Sequence, residues 1–327
     1  MKITLITGGL GFIGSNLCEL LLKKKYTSKC ILLDNFGGYM NPIKDNYVDF
    51  RKQRFPSLKN IIIERCDTSN YKALSSIISK YRPNYIYHTA ALPLAKVSNL
   101  NNEEAKISSV DSTVNIIDAI NLIKNSNKNF KFSRFIYFSS SMVYGDFKTS
   151  TVNEESKKNP KDAYGIMKLA GEIVTEGLCK LHNIPYTIIR PSAVYGPKDM
   201  NRRVSQIFIE NAFEKKKIYI QGKNEKLDFT YIKDLASGSI LAARSKKGIN
   251  QIFNITCGKG QTLLSYVMYL KKKFPKLEYV IQDRDKSKPS RGTLSINKAK
   301  KLLGYEAKYS LKDGIDQYYN FLKKKFR

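Results

Sequence analysis

The 327-residue sequence predicts a doubly wound α/β fold with a smaller, interleaved lobe toward its C-terminus. Three observations carry this: short unalternating apolar runs recur through the first 190 residues, helical stretches separate them, and the regularity decays after Pro197. Strands read this way when helices bury both faces of their sheet. Those expected are Ile3–Thr7, Cys30–Asp34, Asn60–Arg65, Tyr85–Thr89, Arg134–Ser139 and Tyr186–Ile189. Between them, Ser15–Lys25, Tyr71–Lys80, Ser109–Lys124 and Ala163–His182 carry helical patterns, and right-handed crossovers of this kind imply a parallel sheet. Past Pro197 come mixed helices, turns and short strands, then a lysine-rich helix near Leu311–Lys325. With no fixed-period repeat and no Gly/Ser linker, the two lobes are expected to interleave. Residues 1–191 form the larger one, with 229–260 returning to it; 192–228 and 261–327 form the smaller.

Composition narrows the class. Apolar residues at 42% and charged residues at 26% exclude a mainly disordered, collagen-like or multi-span membrane chain. The net charge of +29 would draw nucleic acid, anionic membrane or a phosphorylated ligand by steering. Its lysines are spread along the chain rather than gathered in one tail or helix, which favours compositional bias over nucleic-acid binding. Five widely spaced cysteines form no C-x-x-C pair, so neither a disulfide framework nor a metal site is indicated, and a reducing cytoplasm fits. The start superficially resembles a signal peptide but is interrupted by Gly8, Gly9, Gly11 and Gly14, so it reads as the first strand. No stretch approaches the roughly 18 apolar residues of a membrane span.

The chemistry begins in the first turn, Thr7-Gly8-Gly9-Leu10-Gly11-Phe12-Ile13-Gly14, which follows a strand at once and opens a helix. In that context Gly8 permits the tight turn, Gly11 admits a pyrophosphate and Gly14 lets the helix approach the sheet. The helix N-terminus then faces the anion. Asp34 ends the second strand, twenty residues after Gly14, where a carboxylate accepts from ribose hydroxyls and repels a 2′-phosphate. NAD is favoured over NADP.

Tyr164 and Lys168 stand four apart on one helix face, an acid/base pair in which the ammonium favours phenolate. Ser139-Ser140-Ser141 follows an apolar strand at the carboxyl edge, where sheets of this kind bind ligands. One of these hydroxyls could hold a substrate oxygen beside Tyr164; a serine-rich turn without that role is the other reading. His88 and His182 are the only histidines, too few for a histidine metal site or a Ser-His triad.

With these motifs the chain resembles the extended short-chain dehydrogenases/reductases of the NAD-dependent sugar-nucleotide epimerase/dehydratase family, over nearly its whole length. Also carrying the resemblance are His88-Thr89-Ala90-Ala91, Ser139 to Gly145, Arg190-Pro191-Ser192-Ala193-Val194-Tyr195-Gly196-Pro197, Asp228-Phe229-Thr230-Tyr231-Ile232 and Arg291 followed by Leu302-Leu303-Gly304-Tyr305. It implies a Rossmann-type domain holding NAD, in the manner of UDP-glucose and UDP-glucuronate 4-epimerases. Carried over, Asp67 bonds adenine, Ala90 and Ala91 line the cofactor wall, and Lys168 also bonds the nicotinamide ribose. Phe12, Ile13, Asn35, Thr68 and Ser192 complete the cofactor set. Ser140 matches the catalytic Ser or Thr, and Arg291 the arginine on the substrate diphosphate; Ser141, Ala193 and Arg203 join them around the substrate.

The resemblance also separates subclasses. Its 4,6-dehydratases carry an Asp-Glu pair where this chain has Ser141 and Met142, and 3,5-epimerases carry Cys at Met142. Methionine exchanges no proton, so the expected reaction is C4 epimerisation: Tyr164 takes the hydroxyl proton, the C4 hydride passes to NAD, and the 4-keto sugar turns and takes it back on its other face. Three positions depart from the family pattern: Ser109 and Ala193, each where Asn is common, and Leu227, where Arg often precedes Asp-Phe. Asn201-Arg202-Arg203 could replace the lost cation or could be a solvated turn. A homodimer through Ser109–Lys124 and Ala163–His182 is implied, with no membrane partner. The alternatives are a dehydratase or ketosugar reductase on the same scaffold, and a catalytically silent nucleic-acid-binding or regulatory relative.

Overall fold

The computed structural model describes residues 2–37, 59–92, 102–286 and 288–324. The chain runs β1 (Ile3–Thr7), α1 (Phe12–Lys23), β2 (Lys29–Asp34), β3 (Ile61–Arg65), α2 (Tyr71–Tyr81), β4 (Tyr85–His88) and α3 (Asn102–Lys106). A π-helical turn, Ile107–Asp111, joins α3 to α4 (Ser112–Ser126), and β5 (Arg134–Phe138) follows. A 3-10 turn over Ser141–Tyr144 precedes β6 (Thr151–Val152), α5 (Ala163–Leu181) and β7 (Tyr186–Arg190). Then come α6 (Val204–Phe213), β8 (Ile218–Gln221), β9 (Lys226–Leu227), α7 (Ile232–Arg244), β10 (Gln251–Asn254) and β11 (Gln261–Thr262). The chain ends through α8 (Leu263–Lys271), β12 (Tyr279–Gln282), β13 (Thr293–Leu294), α9 (Asn297–Leu303) and α10 (Leu311–Lys323).

Seven strands form one parallel sheet in the order β10-β7-β5-β4-β1-β2-β3. The chain winds outward from β1 through β2 and β3, then restarts at β4 on the other side of β1. The crevice between β1 and β4 is therefore the switch point, where Thr7 lies opposite His88. β10, from the returning stretch, pairs with β7 as the outermost strand.

Successive strand residues feed two cores. Leu5, Ile31, Leu33, Ile86, Phe135 and Ile188 face one way, under α2, α4 and α5. Ile6, Leu32, Tyr87, Ile136, Ile189 and Phe253 face the other, and the same cluster continues without a break into Tyr195, Tyr266, Tyr305 and Tyr318 of the later chain. The later chain thus shares its core with one face of the sheet. The remaining strands form short pairs: β8 with β12, β9 with β11, and β6 with β13, the last joining Thr151 of the earlier chain to Thr293.

Two helices start elsewhere than the sequence pattern indicates. α1 begins at Phe12 rather than Ser15, its N-cap Gly11 offering no side-chain cap. The helix expected from Ser109 is regular only from Ser112, because the π turn precedes it and the Ser112 hydroxyl donates back to the Ile107 carbonyl at 2.9 Å. Such turns interrupt helices chiefly near functional sites.

Candidate active site

The glycine turn leaves no room for side chains. Gly8 has φ of 64°, and a Cβ there would stand 2.8 Å from the Ala90 nitrogen; one at Gly14 would collide with the Gly8 carbonyl oxygen. Thr7 fastens the turn to the end of β4, its Oγ1 accepting the Ala90 N–H at 3.3 Å and lying 2.7 Å from His88 Nδ1. With no side chain capping α1, the Phe12 and Ile13 amides stand at an uncapped helix N-terminus. Ala90 and Ala91 follow β4 across the same crevice.

Asp34 at the end of β2 accepts the Leu10 N–H at 3.1 Å and the Phe36 N–H at 3.0 Å, so it shapes the turn it faces. Asn35 donates to Asp67 at 2.7 Å. Burial works against charge on Asp67, yet Asn35 and Ser69 hold its carboxyl below the usual range. Thr68 is buried, and its hydroxyl donates to Ser112 at 2.8 Å, anchoring this edge to α4.

Tyr164, Lys168 and Ser140 converge at the carboxyl edge of β5. Asp162 caps α5 by accepting the Gly165 N–H at 2.7 Å, and a Cβ at Gly165 would stand 2.8 Å from the Met142 carbonyl oxygen. That close approach brings Tyr164 to the turn carrying Ser140. Burial raises the Tyr164 phenol above its ordinary pKa, while the Arg203 charge and a hydrogen bond with Ser140 pull it back. Lys168 is buried, donates to the Phe138 carbonyl at 2.8 Å and lies 5.8 Å from the Tyr164 ring centre. Burial lowers its ammonium to about 7, against the pull of Glu172. Ser140 accepts the Met142 N–H at 3.2 Å. His88 is buried, and burial and then the charge of Lys168 hold its imidazole down to about 3.

Beneath this trio lies an ion pair to which the motifs assign no role. Glu172 receives Arg190 through two bonds, of 2.8 and 2.6 Å, and the Ser139 hydroxyl at 2.5 Å. Arg190 also donates to the Tyr144 hydroxyl at 2.9 Å and the Glu154 carbonyl at 3.0 Å, and Tyr144 to Asn254 at 2.8 Å. One buried network therefore joins the ends of β5, β7 and β10 to α5. The one available signal was Glu172's place four residues after Lys168, on the same helix face.

Of the two arginines expected at the substrate, Arg203 lies near enough to Arg291 for its charge to act there. Burial lowers the Arg291 guanidinium to about 10; Glu225 and Asp162 oppose this and Arg203 adds to it. Arg203, at the N-cap of α6, donates to the Val194 carbonyl at 3.3 Å. Ser141 and Ser192 are buried, and Leu227, where a cation is common, is packed in the core. Ala193 has φ of 37°, the left-handed region that Asn tolerates better than Ala. Away from all this, a cleft of about 860 Å³ lined by Lys2, Lys23, Lys25, Lys59 and Arg244 opens at the amino ends of the strands and holds none of the site residues.

A family profile described as "NAD dependent epimerase/dehydratase family" matches residues 4–256. The chain belongs to this family. An uncharacterized UDP-glucose epimerase of Bacillus subtilis is 29% identical over 320 residues, covering 96% of both chains. The UDP-glucuronic acid 4-epimerase of Bacillus cereus, solved with UDP-glucuronic acid and NAD, superposes with a TM-score of 0.86 at 28% identity over 99% of both chains. For the UDP-glucose 4-epimerase of Thermotoga maritima with UDP-glucose the TM-score is 0.87 at 25% identity, over the full length of both. The NAD on which the family depends fits this chain, because the cradle that a Cβ at Gly8 or Gly14 would fill lies at an uncapped helix N-terminus with Asp34 opposite.

Proposed function

We propose that the chain is an NAD-dependent epimerase of nucleotide-diphosphate sugars, acting at C4 and taking UDP-hexoses or UDP-hexuronic acids. One observation carries the choice within the family: Tyr164, Lys168 and Ser140 are assembled, while Ser141 and buried Met142 stand where a dehydratase needs its acids. Gly8, Gly11, Phe12, Ile13 and Gly14 would hold the pyrophosphate, Asp34 and Asn35 the adenosine ribose, Asp67 and Thr68 the adenine, and Ala90, Ala91, Lys168 and Ser192 the rest. NAD, when bound, supplies an acceptor that takes a hydride from the sugar carbon and returns it.

The side chains do the remaining work. Tyr164 takes the proton of the C4 hydroxyl and returns it after the keto sugar has turned. Ser140 donates to the same oxygen, and Lys168, in its ammonium form, favours the phenolate against the burial that raises the phenol and lowers the ammonium. Arg291 and Arg203 grip the diphosphate, whose paired oxygens suit the guanidinium fork. Residues 1–191 with 229–260 act as the cofactor unit; 192–228 and 261–327 act as the substrate lobe. A homodimer through α4 and α5 accounts for the outward apolar residues Leu122, Ile166, Ile173 and Leu181, the last three at helical spacing with Leu181 69% exposed. All five cysteines are free thiols, which supports a reducing cytoplasm, and no described helix is long and apolar enough to cross a membrane.

The test is to denature purified protein, assay the released NAD, and incubate fresh enzyme with UDP, CDP, GDP and dTDP sugars while NMR follows C4. A C4 epimer without net NADH is expected. Tyr164→Phe should cut turnover about a thousandfold with NAD content unchanged; substantial remaining turnover would remove the role given to the phenol.

A further inference from the structure

The catalytic turn, the start of α5 and the Arg291 segment meet at one carboxylate outside the residues assigned above. Asp146 follows Gly145, which closes the turn in the left-handed region at φ 66°, packed against the Asn159 carbonyl. One Asp146 oxygen accepts the Ser290 N–H at 2.7 Å, and the other pairs with Lys161, the neighbour of the α5 cap Asp162. The Phe147 N–H returns to the Ser290 carbonyl at 2.9 Å. On the other side of Arg291, the Thr293 N–H donates to the Ser150 carbonyl at 3.0 Å, and a Cβ at Gly292 would stand 2.6 Å from that oxygen. The backbone carrying Arg291 is thus tethered on both sides to residues 146–150, which continue directly from the Ser140 turn. The bond to Lys161 and then that to Ser290 hold the half-buried Asp146 carboxyl below the usual carboxylate range.

We infer that Asp146 is a positioning residue that sets the Arg291 guanidinium in register with Ser140 and Tyr164, so that the grip on the diphosphate and the acid/base pair address one sugar. The inference rests on the epimerase reading for Arg291. A residue that only stabilised the fold would change how much protein folds and leave the affinity of the folded fraction alone.

The test uses NAD-loaded enzyme, the UDP-sugar that wild type converts, and UDP itself as a probe carrying the diphosphate without the sugar. Asp146→Ala removes both bonds and should raise KM and the UDP Kd about tenfold, with kcat within about threefold and NAD content unchanged. Asp146→Asn keeps an amide oxygen for the Ser290 N–H and should recover most of that affinity. In an Arg291→Ala background, Asp146→Ala should add less than about twofold, because the two act through one contact. Unchanged KM and UDP affinity in Asp146→Ala, or a full tenfold loss that persists without Arg291, overturns the inference. Should Asp146→Ala not fold, Asp146→Glu keeps the charge on a longer arm and should raise KM about threefold; wild-type KM there overturns the inference equally. Failure of wild type to convert any UDP-sugar counts against the epimerase reading, while UDP binding still reads the coupling of Asp146 to Arg291.

Discussion

The turn after β1 and the lobe around Arg291 hold their shapes by opposite means. In the turn, Gly8, Gly11 and Gly14 bring backbone against backbone, and few side chains take part beyond Thr7 and Asp34. Around Arg291 and the later chain, carboxylates collect backbone amides from distant segments: Asp228 takes Leu294, Asp234 takes Lys308 and Tyr309, and Asp146 takes Ser290. The first arrangement meets backbone when a Cβ is added at Gly8 or Gly14; the second responds to charge and to pH. In the proposed function the close-packed turn holds the cofactor that must stay, and the segments joined by single polar contacts meet the sugar that must leave.

Three changes probe that contrast, beginning with the largest effect. Gly14→Ala puts a methyl group against the Gly8 carbonyl and 2.8 Å from Gly9 Cα, where only backbone can give way. NAD retention should weaken about 10- to 100-fold, measured as cofactor released per chain; full retention would mean that the turn yields more easily than its packing allows.

Charge is the lever in the lobe. Burial raises the Asp228 carboxyl from its ordinary 3.8 to about 6, although bonds from Leu294 and Thr256 work the other way. Between those values the folded chain keeps a proton that the unfolded chain has released. Stability from this group is therefore complete below about 4 and is lost as pH rises through about 6. Asp228→Asn is neutral throughout and should erase a fall on the order of 3 kcal/mol in wild-type stability between pH 4 and pH 7. Denaturant midpoints of both proteins at the two pH values check this, and parallel curves would refute it.

The smallest change sits where the halves meet. Ala193 holds a left-handed backbone without the side chain best suited to it, so Ala193→Asn should stabilise by about 0.5 kcal/mol. A lower thermal midpoint would show that the pocket side chain, and not the backbone, governs this position.

The same contrast explains what could be read in advance. Strands buried on both faces announce themselves as apolar runs, and a glycine turn between strand and helix is local, so β1 to β5, β7 and the glycine turn were legible from the residues. The pairing of Thr151 with Thr293 joins two-residue strands far apart in sequence and leaves no periodic trace. Glu172 and Arg190, or Asp146 and Ser290, become partners only once β5, β7 and the later chain are side by side. The π turn at Ile107–Asp111, which leaves α4 regular only from Ser112, is too short to leave a periodic trace of its own. Tyr164 and Lys168 could be found because their spacing lies within one helix; the arginines of the substrate side needed the family resemblance.

The central claim, transient oxidation at C4 with Tyr164 as base, is tested most directly by running the reaction in deuterium oxide with the UDP-sugar that wild type converts and reading the product by proton NMR. The account predicts a C4 epimer that keeps protium at C4 and carries no deuterium at C3 or C5, since the hydrogen leaves and returns as hydride without meeting solvent. Deuterium at C3 or C5, or a product that has lost its C6 hydroxyl, would contradict it.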